Sequence, residues 1–426
     1  MNLDIGLLPE RCDVLVVGAG PAGSAAAQLL ARAGRDVVLI DQHAFPRDKV
    51  CGDGLIPDAH RALARLGVLE QVMAEARAAT TLGCIAPRGG RIDVPGSLAV
   101  LPRKRLDEII CRAAVAAGAR MFAPLRFVAP LREVGAAGTA SADNAAQGTV
   151  IGATLKQGDA VREIRARWVV LASGAQPQAT IAAGMCERRT PSGIALRGYV
   201  KNPAMTARIT SLEVVWHKRL SPGYGWIFPC GGDVFNIGVG VAQSDREGGT
   251  GRHVTKHLNL REVFAAFQEL YAPARELVAG GRWQAEAGEE LKGAPLRCSL
   301  EGARLEAPGL LVTGEAAGAT YAFTGEGIGK AMETAIHAAE AILASDDDAA
   351  VRADYAARVM ALKPRFDMYE QANRANAHPW LIDLLVWSAK RSPRRVQRMA
   401  GVLEETHIPT DAVTVRGVLR RLFDWR

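Results

Sequence analysis

Three glycines near the N-terminus have the spacing of a loop that binds phosphates. Gly18, Gly20 and Gly23 form the pattern G-x-G-x-x-G. The first glycine permits a tight turn, the second lets a pyrophosphate approach the backbone, and the third lets a helix pack closely on a strand. We therefore expect the backbone from Gly18 to Gly23, including Ala22, to bind a dinucleotide through the free N–H groups of a helix N-terminus.

An acidic residue and the flanking apolar runs support this interpretation. An apolar run at 14–17 precedes the glycines, a helical pattern covers 24–33, and a second apolar run at 37–40 ends at Asp41. This order predicts two strands of one parallel sheet joined by a helix. Asp41 stands where a carboxylate accepts hydrogen bonds from an adenosine ribose, so the pattern indicates FAD or NAD rather than NADP.

A second glycine-rich turn occurs late in the chain. After a strand-like run at 310–313, Gly325, Gly327 and Gly329 surround the start of a long helix at Ile328. Such a helix N-terminus can face the pyrimidine edge of a flavin, where negative charge collects on reduction, although an ordinary N-terminal turn is the alternative. A single NAD domain does not need this segment, whereas an extended FAD must be held along its whole length.

Three further side chains are candidates for chemistry at such a site. Cys51 follows a basic loop, so we expect either a thiol with a lowered pKa near the flavin or a small buried residue against its ring. Tyr224 and Trp226 alternate in a strand and point to one face, as a cavity wall or as an aromatic pair in a sheet core. His253 and His257 have no third ligand, so they are expected to be surface histidines and no metal site is predicted.

Composition limits the class of protein. The chain has 426 residues, of which 49% are hydrophobic and 23% are charged, enough for a large core and two or three domains. Seven cysteines are widely spaced without a C-x-x-C pair, which argues against disulfides, zinc and redox dithiols. No signal-peptide pattern and no run of about 18 apolar residues is present. A cytoplasmic protein is therefore expected.

Basic residues are concentrated at the C-terminal end. The net charge is +7, and residues 390–426 contain nine basic and four acidic residues. A solvated helical face is the preferred interpretation, and no nucleic-acid partner is expected because no nucleic-acid motif accompanies the charge. Peripheral contact with an anionic membrane surface, here the inner membrane, is the alternative.

The order of patterns predicts an α/β chain with a Rossmann-like FAD-binding domain, a second antiparallel-sheet substrate domain and a C-terminal helical segment. The expected boundaries are 1–184 for the first part of the FAD-binding domain, 185–294 for the substrate domain, 295–345 for the return to the FAD-binding domain and 346–426 for the helical segment, with 81–100 assigned to the substrate domain. We also expect helices over 57–79 and 252–270, a surface hairpin loop over 135–148, and C-terminal helices interrupted at Pro364, Pro379, Pro393 and Pro409.

The sequence resembles the geranylgeranyl reductase family, which shares its flavin domain with the p-hydroxybenzoate hydroxylase-like flavoproteins. The resemblance covers nearly the whole chain and rests on residues 18–23, Phe45-Pro46-Arg47-Asp48-Lys49-Val50-Cys51-Gly52, Tyr224-Gly225-Trp226-Ile227-Phe228-Pro229 and Phe323-Thr324-Gly325-Glu326-Gly327. It implies FAD as the cofactor, NAD(P)H as a transient donor, and reduction of carbon–carbon double bonds in a lipophilic, isoprenoid-type substrate. In that family the aromatic motif lines the cavity over the flavin.

The resemblance also assigns cofactor-binding residues outside the first loop. Arg47 lies in the second matching segment, and Arg103 is similar to a family arginine near the adenosine or pyrophosphate. Asp107 would hold Arg103 one helical turn away, although a surface ion pair is the alternative. Gly314-Glu315 stands where the family has Gly-Asp, so a carboxylate for ribityl or pyrophosphate contact is retained.

Alkene reduction also needs a proton donor, and Cys51 and Tyr224 are the candidates.

Alternative activities exist on the same scaffold. A monooxygenase, which hydroxylates its substrate, needs few dedicated side chains, whereas a halogenase is disfavoured because Tyr224 and Phe228 depart from the W-x-W-x-I-P motif of that branch. An electron carrier to quinone would need late cysteines for an iron–sulfur cluster, and no cysteine follows Cys298.

Overall fold

The computed structural model describes residues 3–133, 148–242, 258–285 and 288–406. Within these ranges, none of the helices combines the length and the apolar character that crossing a bilayer requires. The predicted hairpin loop at 135–148, apart from Gly148, lies outside the described residues, as do His253, His257 and Pro409.

Strands and helices alternate through the first half of the chain, and helices dominate its end. The strands are β1 (Arg11–Val17), β2 (Val37–Ile40), β3 (Gly54–Leu55), β4 (Arg77–Ile85), β5 (Arg91–Val100), β6 (Arg120–Phe122), β7 (Arg126–Glu133), β8 (Thr149–Gln157), β9 (Ala160–Leu171), β10 (Gly193–Lys201), β11 (Leu212–Val215), β12 (Gly223–Gly231), β13 (Val234–Ala242), β14 (Arg282–Trp283), β15 (Lys292–Leu296), β16 (Glu306–Ala307) and β17 (Leu310–Val312). The helices are α1 (Pro21–Arg32), α2 (Pro57–Leu66), α3 (Leu69–Glu75), α4 (Arg103–Ala116), α5 (Gln178–Ala182), α6 (Leu260–Leu270), α7 (Ala272–Ala279), α8 (Ile328–Ala344), α9 (Asp348–Ala372), α10 (Arg374–Ala377), α11 (Trp380–Ala389) and α12 (Pro393–Leu403).

The first sheet has a parallel centre. Its order is β16-β17-β9-β1-β2-β6, and β8 and β7 extend it from β9 as an antiparallel hairpin. Residues 14–17 and 37–40 are buried throughout, as expected for parallel strands covered on both faces. Val14 and Val16 pack against α1 and α8, whereas Leu15 and Val17 pack toward β7 and β8.

The second sheet is mainly antiparallel. Its order is β14-β10-β13-β12-β11-β4-β5-β3, with β15 also paired to β10, and only β4 and β11 run parallel. Two segments from the N-terminal part of the chain, 54–55 and 77–100, therefore lie in this sheet beside strands from 193–296. The two sheets and the C-terminal helices confirm the predicted fold class. The domain boundaries stay a prediction.

Two expected helix boundaries are wrong. The predicted helix over 57–79 is divided, because Gly67 adopts a left-handed conformation (φ 72°) that ends α2, and residues from Arg77 onward pair with β5 and β11. Pro364 does not interrupt the C-terminal helices but lies inside α9. The buried side chains of Tyr355, Phe366 and Tyr369 hold α9 on both sides of the proline, and this packing outweighs the lost backbone hydrogen bond. The helix predicted over 252–270 is described from Leu260 onward.

One glycine in β12 separates the two faces of the second sheet. A Cβ at Gly225 would lie 2.6 Å from a ring carbon of Phe267, so α6 packs directly against the strand at this position. Phe267 is fully buried in the core behind the sheet. Because side chains alternate along a strand, Tyr224 and Trp226 point to the opposite face.

We predict that Phe267→Ala lowers the free energy of unfolding by about 3–5 kcal/mol, because it leaves a cavity under β12. Leu270→Ala, on the same helix but only half-buried, serves as the matched control and should cost less. Urea unfolding of both variants measures the difference. Equal losses would contradict the role assigned to Phe267.

Candidate active site

A cavity of about 1290 Å³ lies between the carboxyl end of the first sheet and the open face of the second. Most of the predicted site residues line it, namely Gly18, Gly20, Ala22, Asp41, Arg47, Cys51, Arg103, Tyr224, Trp226, Glu315, Gly325, Gly327 and Ile328. Gly23 and Gly314 do not line it. Residues from both ends of the chain therefore meet at one site.

Gly23 and Gly314 allow close packing beneath the cavity. A Cβ at Gly23 would lie 1.7 Å from the carbonyl oxygen of Gly18, so any side chain would collide with the backbone. Gly314 has φ 66°, and a Cβ there would lie 2.7 Å from Ala22 Cβ. These two glycines bring α1 and the end of β17 close together beneath the loop that is expected to bind phosphates.

Asp41 closes the first glycine-rich loop. Its Oδ2 accepts a hydrogen bond from the backbone N–H of Ala19 at 3.0 Å, and its Oδ1 accepts one from the N–H of His43 at 2.9 Å. Its Oδ2 also lies 3.4 Å from Arg47 Nη2. The carboxylate thus holds the loop in place at the end of β2, where a ribose is expected to bind.

Arg47 and Arg103 share one buried carboxylate. Arg103 Nε donates to Asp107 Oδ1 at 2.7 Å, and Arg47 Nη1 donates to Asp107 Oδ2 at 3.0 Å. The Asp107 side chain is fully buried, so the alternative of a surface ion pair is wrong. Both guanidinium groups approach Gly20, with Nη2 atoms 3.6 and 3.8 Å from the position of a Cβ. Two positive charges therefore flank the loop that is expected to bind the pyrophosphate.

Two helix N-termini also point into the cavity. Helix α1 begins after Gly20 and α8 begins after Gly327, and neither has a side chain that caps its first N–H groups. Free N–H groups, two arginines and an acidic residue at the end of β2 fit the phosphates and the ribose of FAD. A Cβ at Gly325 would lie 3.0 Å from Tyr224 Oη, so this turn leaves little room between the cavity wall and the backbone.

The thiol of Cys51 lies deep in the site with part of its surface open to the cavity. Burial raises its pKa, and the Arg103 guanidinium offsets only part of this effect. The expectation of a lowered pKa is therefore wrong, because a thiolate loses more hydration here than the arginine returns. The backbone oxygen of Cys51 accepts a hydrogen bond from Asn236 Nδ2 at 2.8 Å, which fixes the loop.

Five aromatic rings form one wall of the cavity, next to the glycine-rich turn at 325–327. The ring centroids of Tyr224 and Trp226 are 6.3 Å apart, and Phe228 follows at 6.4 Å from Trp226. Trp216 lies 5.8 Å from Tyr224 and stacks on Phe323 at 6.0 Å. All five line the cavity. We call these residues the aromatic wall.

The aromatic wall is held by hydrogen bonds. Trp226 Nε1 donates to Asn236 Oδ1 at 2.9 Å, and the Tyr224 hydroxyl donates to the backbone oxygen of Thr324. Trp216 Nε1 donates to Asn376 Oδ1 at 2.8 Å. Each polar tip is thus satisfied behind the wall, which leaves apolar ring surface toward the cavity.

Two acids that line the cavity, the buried Asp53 and the half-buried Glu326, were missed by sequence reasoning. Asp53 is fully buried, accepts hydrogen bonds from Tyr199 Oη (2.5 Å) and Asn236 Nδ2 (2.8 Å), and has its pKa raised by burial to about 6. Glu326 accepts a hydrogen bond from Thr324 Oγ1 at 3.1 Å, and burial together with the nearby Asp58 raises its pKa to about 8. The position of Glu326 between two glycines was the available signal.

The far end of the cavity is lined by C-terminal helices. The lining residues from this part of the chain are mostly apolar, and they include Met368, Tyr369, Ala372, Leu381, Ile382, Leu384, Leu385, Trp387, Met399 and Val402, together with the polar Ser388, Arg395 and Arg398. They make the cavity deeper and more apolar than a nucleotide alone requires. Among the residues that the structure describes, no group of three metal-binding side chains is found.

The chain is similar to known flavoproteins over most of its length. The sequence family described as "FAD binding domain" matches residues 11–249, which is more than half of the 426 residues. Together with the two sheets and the glycine-rich loops, this match defines the protein as a FAD-dependent oxidoreductase.

Two relatives show to which family of FAD-dependent oxidoreductases this chain belongs. Menaquinone reductase of Mycolicibacterium smegmatis is 33% identical over 343 residues, which cover 78% of this chain and 76% of that protein. Digeranylgeranylglycerophospholipid reductase 1 of Methanopyrus kandleri is 30% identical over 328 residues, which cover 75% of this chain and 77% of that protein. The chain belongs to the geranylgeranyl reductase family of FAD-dependent oxidoreductases, as the sequence motifs predicted.

Solved structures share the fold at lower sequence identity. A geranylgeranyl bacteriochlorophyll reductase-like protein from Thermoplasma acidophilum has a TM-score of 0.68 and 20% identity, covering 97% of this chain and 96% of that one. A flavin-dependent brominase has a TM-score of 0.67 and 18% identity, covering 97% and 98%. The architecture is therefore common to proteins that reduce and proteins that halogenate.

We predict that Gly20→Ala weakens FAD binding at least about tenfold without unfolding the protein, because the methyl group occupies space that the pyrophosphate needs. Beyond Gly20 and its two neighbours in the chain, only the Nη2 atoms of Arg47 and Arg103 lie within 4 Å of that methyl position. Gly23→Ala is the matched comparison and should lose the fold itself. Fluorescence titration with FAD and thermal unfolding separate the two effects, and wild-type FAD affinity in Gly20→Ala would contradict the assigned role of this loop.

Proposed function

We propose that the protein reduces carbon–carbon double bonds of a lipophilic, isoprenoid-type substrate. The observation that carries this proposal is the aromatic wall, which continues the FAD site into a deep apolar cavity lined by C-terminal helices. An elongated apolar chain fits such a cavity, whereas a small polar substrate would leave most of its surface without partners. The two relatives are named as reductases of a menaquinone and of a geranylgeranyl lipid, and these names support the same substrate class.

When bound, FAD supplies the hydride chemistry, with NAD(P)H as the transient source of electrons. The chain's own residues bind the cofactor and position the substrate. Tyr224 and Trp226 would hold the alkene flat against the site, and the surrounding apolar side chains would exclude water. The sequence contains one G-x-G-x-x-G loop, and this loop, together with Asp41, is assigned to FAD. A second loop of this kind for the nicotinamide is absent from the sequence, so we propose that the nicotinamide binds transiently.

The reduction also needs a proton at the second alkene carbon. Cys51, Tyr224 and Glu326 all line the cavity, and burial raises the pKa of each. The Tyr224 hydroxyl already donates to Thr324. Glu326, with a pKa of about 8, is a better proton donor near neutral pH than a thiol or a phenol whose pKa is higher still. We therefore add Glu326 to Cys51 and Tyr224 as a candidate acid.

In the proposed step, a hydride adds to one alkene carbon while the carboxyl proton of Glu326 adds to the other, so the π bond is replaced by two C–H bonds. The resulting carboxylate then regains a proton from solvent. Thr324 connects the two sides of this site, because its hydroxyl donates to Glu326 and its backbone oxygen accepts from Tyr224.

Hydroxylation is the second candidate function. The brominase has the same fold, which supports hydroxylation as an alternative, because this architecture also occurs in enzymes that add an atom to their substrates. A monooxygenase would require oxygen and add its atom to the substrate. Halogenation is the less favoured form of this alternative, because Tyr224 and Phe228 depart from the halogenase motif.

We propose that the protein acts in the cytoplasm, in peripheral contact with the inner membrane. A substrate with a long isoprenoid chain resides in a bilayer, and the basic C-terminal residues favour an anionic surface.

We predict that a prenylated lipid without a quinone ring reoxidises the reduced protein without oxygen and gains the mass of two hydrogens per reduced double bond. Tyr224→Ala and Trp226→Ala should each slow this reoxidation about tenfold or more, with little effect on reduction by NAD(P)H, because the two rings orient only the substrate. Trp283→Ala, in the same sheet but outside the cavity, is the matched control. Anaerobic stopped-flow absorbance and mass spectrometry measure both results.

The competing function gives a different product. Turnover that depends on oxygen and adds one oxygen atom, with no anaerobic alkene reduction across isoprenoid substrates, would replace reduction by hydroxylation as the proposed activity.

We predict that the rate of substrate-driven reoxidation falls as the pH rises through about 8, because only protonated Glu326 can donate. Glu326→Gln should remove this pH dependence and lower the rate at neutral pH about tenfold or more. Glu333→Gln, in helix α8 just after Glu326 but outside the cavity, is the control. A Glu326→Gln protein with an unchanged pH profile would return the role to Cys51 or Tyr224.

A further inference from the structure

Helix α11 carries large apolar side chains on both of its faces. Ile382 and Val386 are buried against the second sheet. On the outer face, Trp380 and Trp387, about two helical turns apart, are 53% and 45% exposed, whereas Leu385 at the side of the helix is 37% exposed. The two tryptophans form an exposed apolar patch beside Leu385, and in soluble proteins such a patch commonly marks an interaction surface.

This outer face lies at the mouth of the cavity. Leu385 and Trp387 are exposed and also line the cavity, together with the half-buried Leu384. A side chain that meets both solvent and the cavity lies at its opening. Whatever covers the outer face of α11 therefore also covers an entrance to the site.

Positive charge surrounds the same patch. The exposed basic residues that follow Trp387 are Lys390, Arg391, Arg394 and Arg398. The Arg391 guanidinium stacks over the Trp387 ring at 3.9 Å, so charge and apolar surface are directly adjacent. The one acidic residue of α11, Asp383, accepts a hydrogen bond from the backbone of Arg88 at 3.1 Å and lies near its guanidinium. The patch and its border are therefore apolar and cationic.

We propose that α11 and the first turns of α12, which we call the rim, dock on an anionic lipid surface. Tryptophans favour the boundary between hydrocarbon and headgroups, and arginines and lysines beside them favour anionic headgroups. The purpose of this docking rests on the proposed function. When the rim is docked, a lipophilic substrate can pass from the bilayer through the mouth of the cavity.

Charge complementarity favours a membrane over a second copy of the chain. An isologous dimer through the rim would bring the same basic cluster from each copy together. Such like charges repel at short range, whereas an anionic bilayer attracts all of them at once.

Sedimentation with lipid vesicles tests the proposal with the full FAD-loaded chain. The probes are vesicles of phosphatidylcholine alone and of phosphatidylcholine with phosphatidylglycerol. Trp380→Ala and the double variant Lys390→Glu/Arg394→Glu alter the rim without changing residues that line the cavity. The matched controls are Val161→Ala and Arg162→Glu/Arg165→Glu, which change exposed residues of β9 in the first sheet.

We expect the wild-type protein and both controls to bind the anionic vesicles and to bind the neutral vesicles at least about tenfold more weakly. Each rim variant should lose about fivefold or more of the anionic binding. No wild-type binding, equal binding to neutral vesicles, or rim variants that bind like the controls would overturn the proposal. The last result would move the contact elsewhere, for example to residues 407–426. A rim variant that changes the molecular mass in light scattering would instead assign the rim to a contact between copies.

The vesicle result does not depend on catalysis, so it separates the two proposals. If the protein binds anionic vesicles through the rim but reduces no isoprenoid substrate, docking stands and the proposed function fails. If both hold, Lys390→Glu/Arg394→Glu should slow turnover of a substrate embedded in vesicles about fivefold or more. The same variant should turn over a short water-soluble analogue at the wild-type rate.

Discussion

The buried carboxylate of Asp107 is the constraint on which the cofactor site depends. It binds Arg47 and Arg103 at the same time, and its side chain has no solvent contact. Two guanidinium groups placed beside the Gly20 loop would repel each other without this shared anion. Removing one partner of a buried pair generally costs about 3–5 kcal/mol, since the remaining charge is left without compensation. The cluster therefore joins α4 to the loop after β2 and holds positive charge where phosphates are expected.

The second sheet performs two tasks because side chains alternate along its strands. Gly225 faces the core and admits Phe267, whereas Tyr224 and Trp226 face the cavity. Gly238 makes a similar close contact on the next strand, since a Cβ there would lie 2.3 Å from the Trp226 ring. The rigidity of the aromatic wall thus depends on glycines that keep neighbouring strands and rings close together.

Burial gives the cavity acids that remain protonated near neutral pH. The thiol of Cys51 and the carboxyl of Glu326 both have raised pKa values because their charged forms lose hydration. An apolar cavity is therefore suited to a substrate without charge and also changes the chemistry of the groups that line it. The exclusion of water that favours binding of a lipophilic chain also keeps Cys51 and Glu326 protonated beside it.

The first sheet, the glycine-rich loops with Asp41, and the position of Tyr224 and Trp226 on one face could be predicted from local sequence. These follow from apolar periodicity and from backbone freedom at glycine, which act within a few neighbouring residues. The tertiary structure alone decided that Asp107 is buried between two arginines, that α9 continues through Pro364, and that the pKa of Cys51 is raised. Each of these depends on burial and on charges brought together from distant parts of the chain, and local sequence does not encode how much water a folded site excludes.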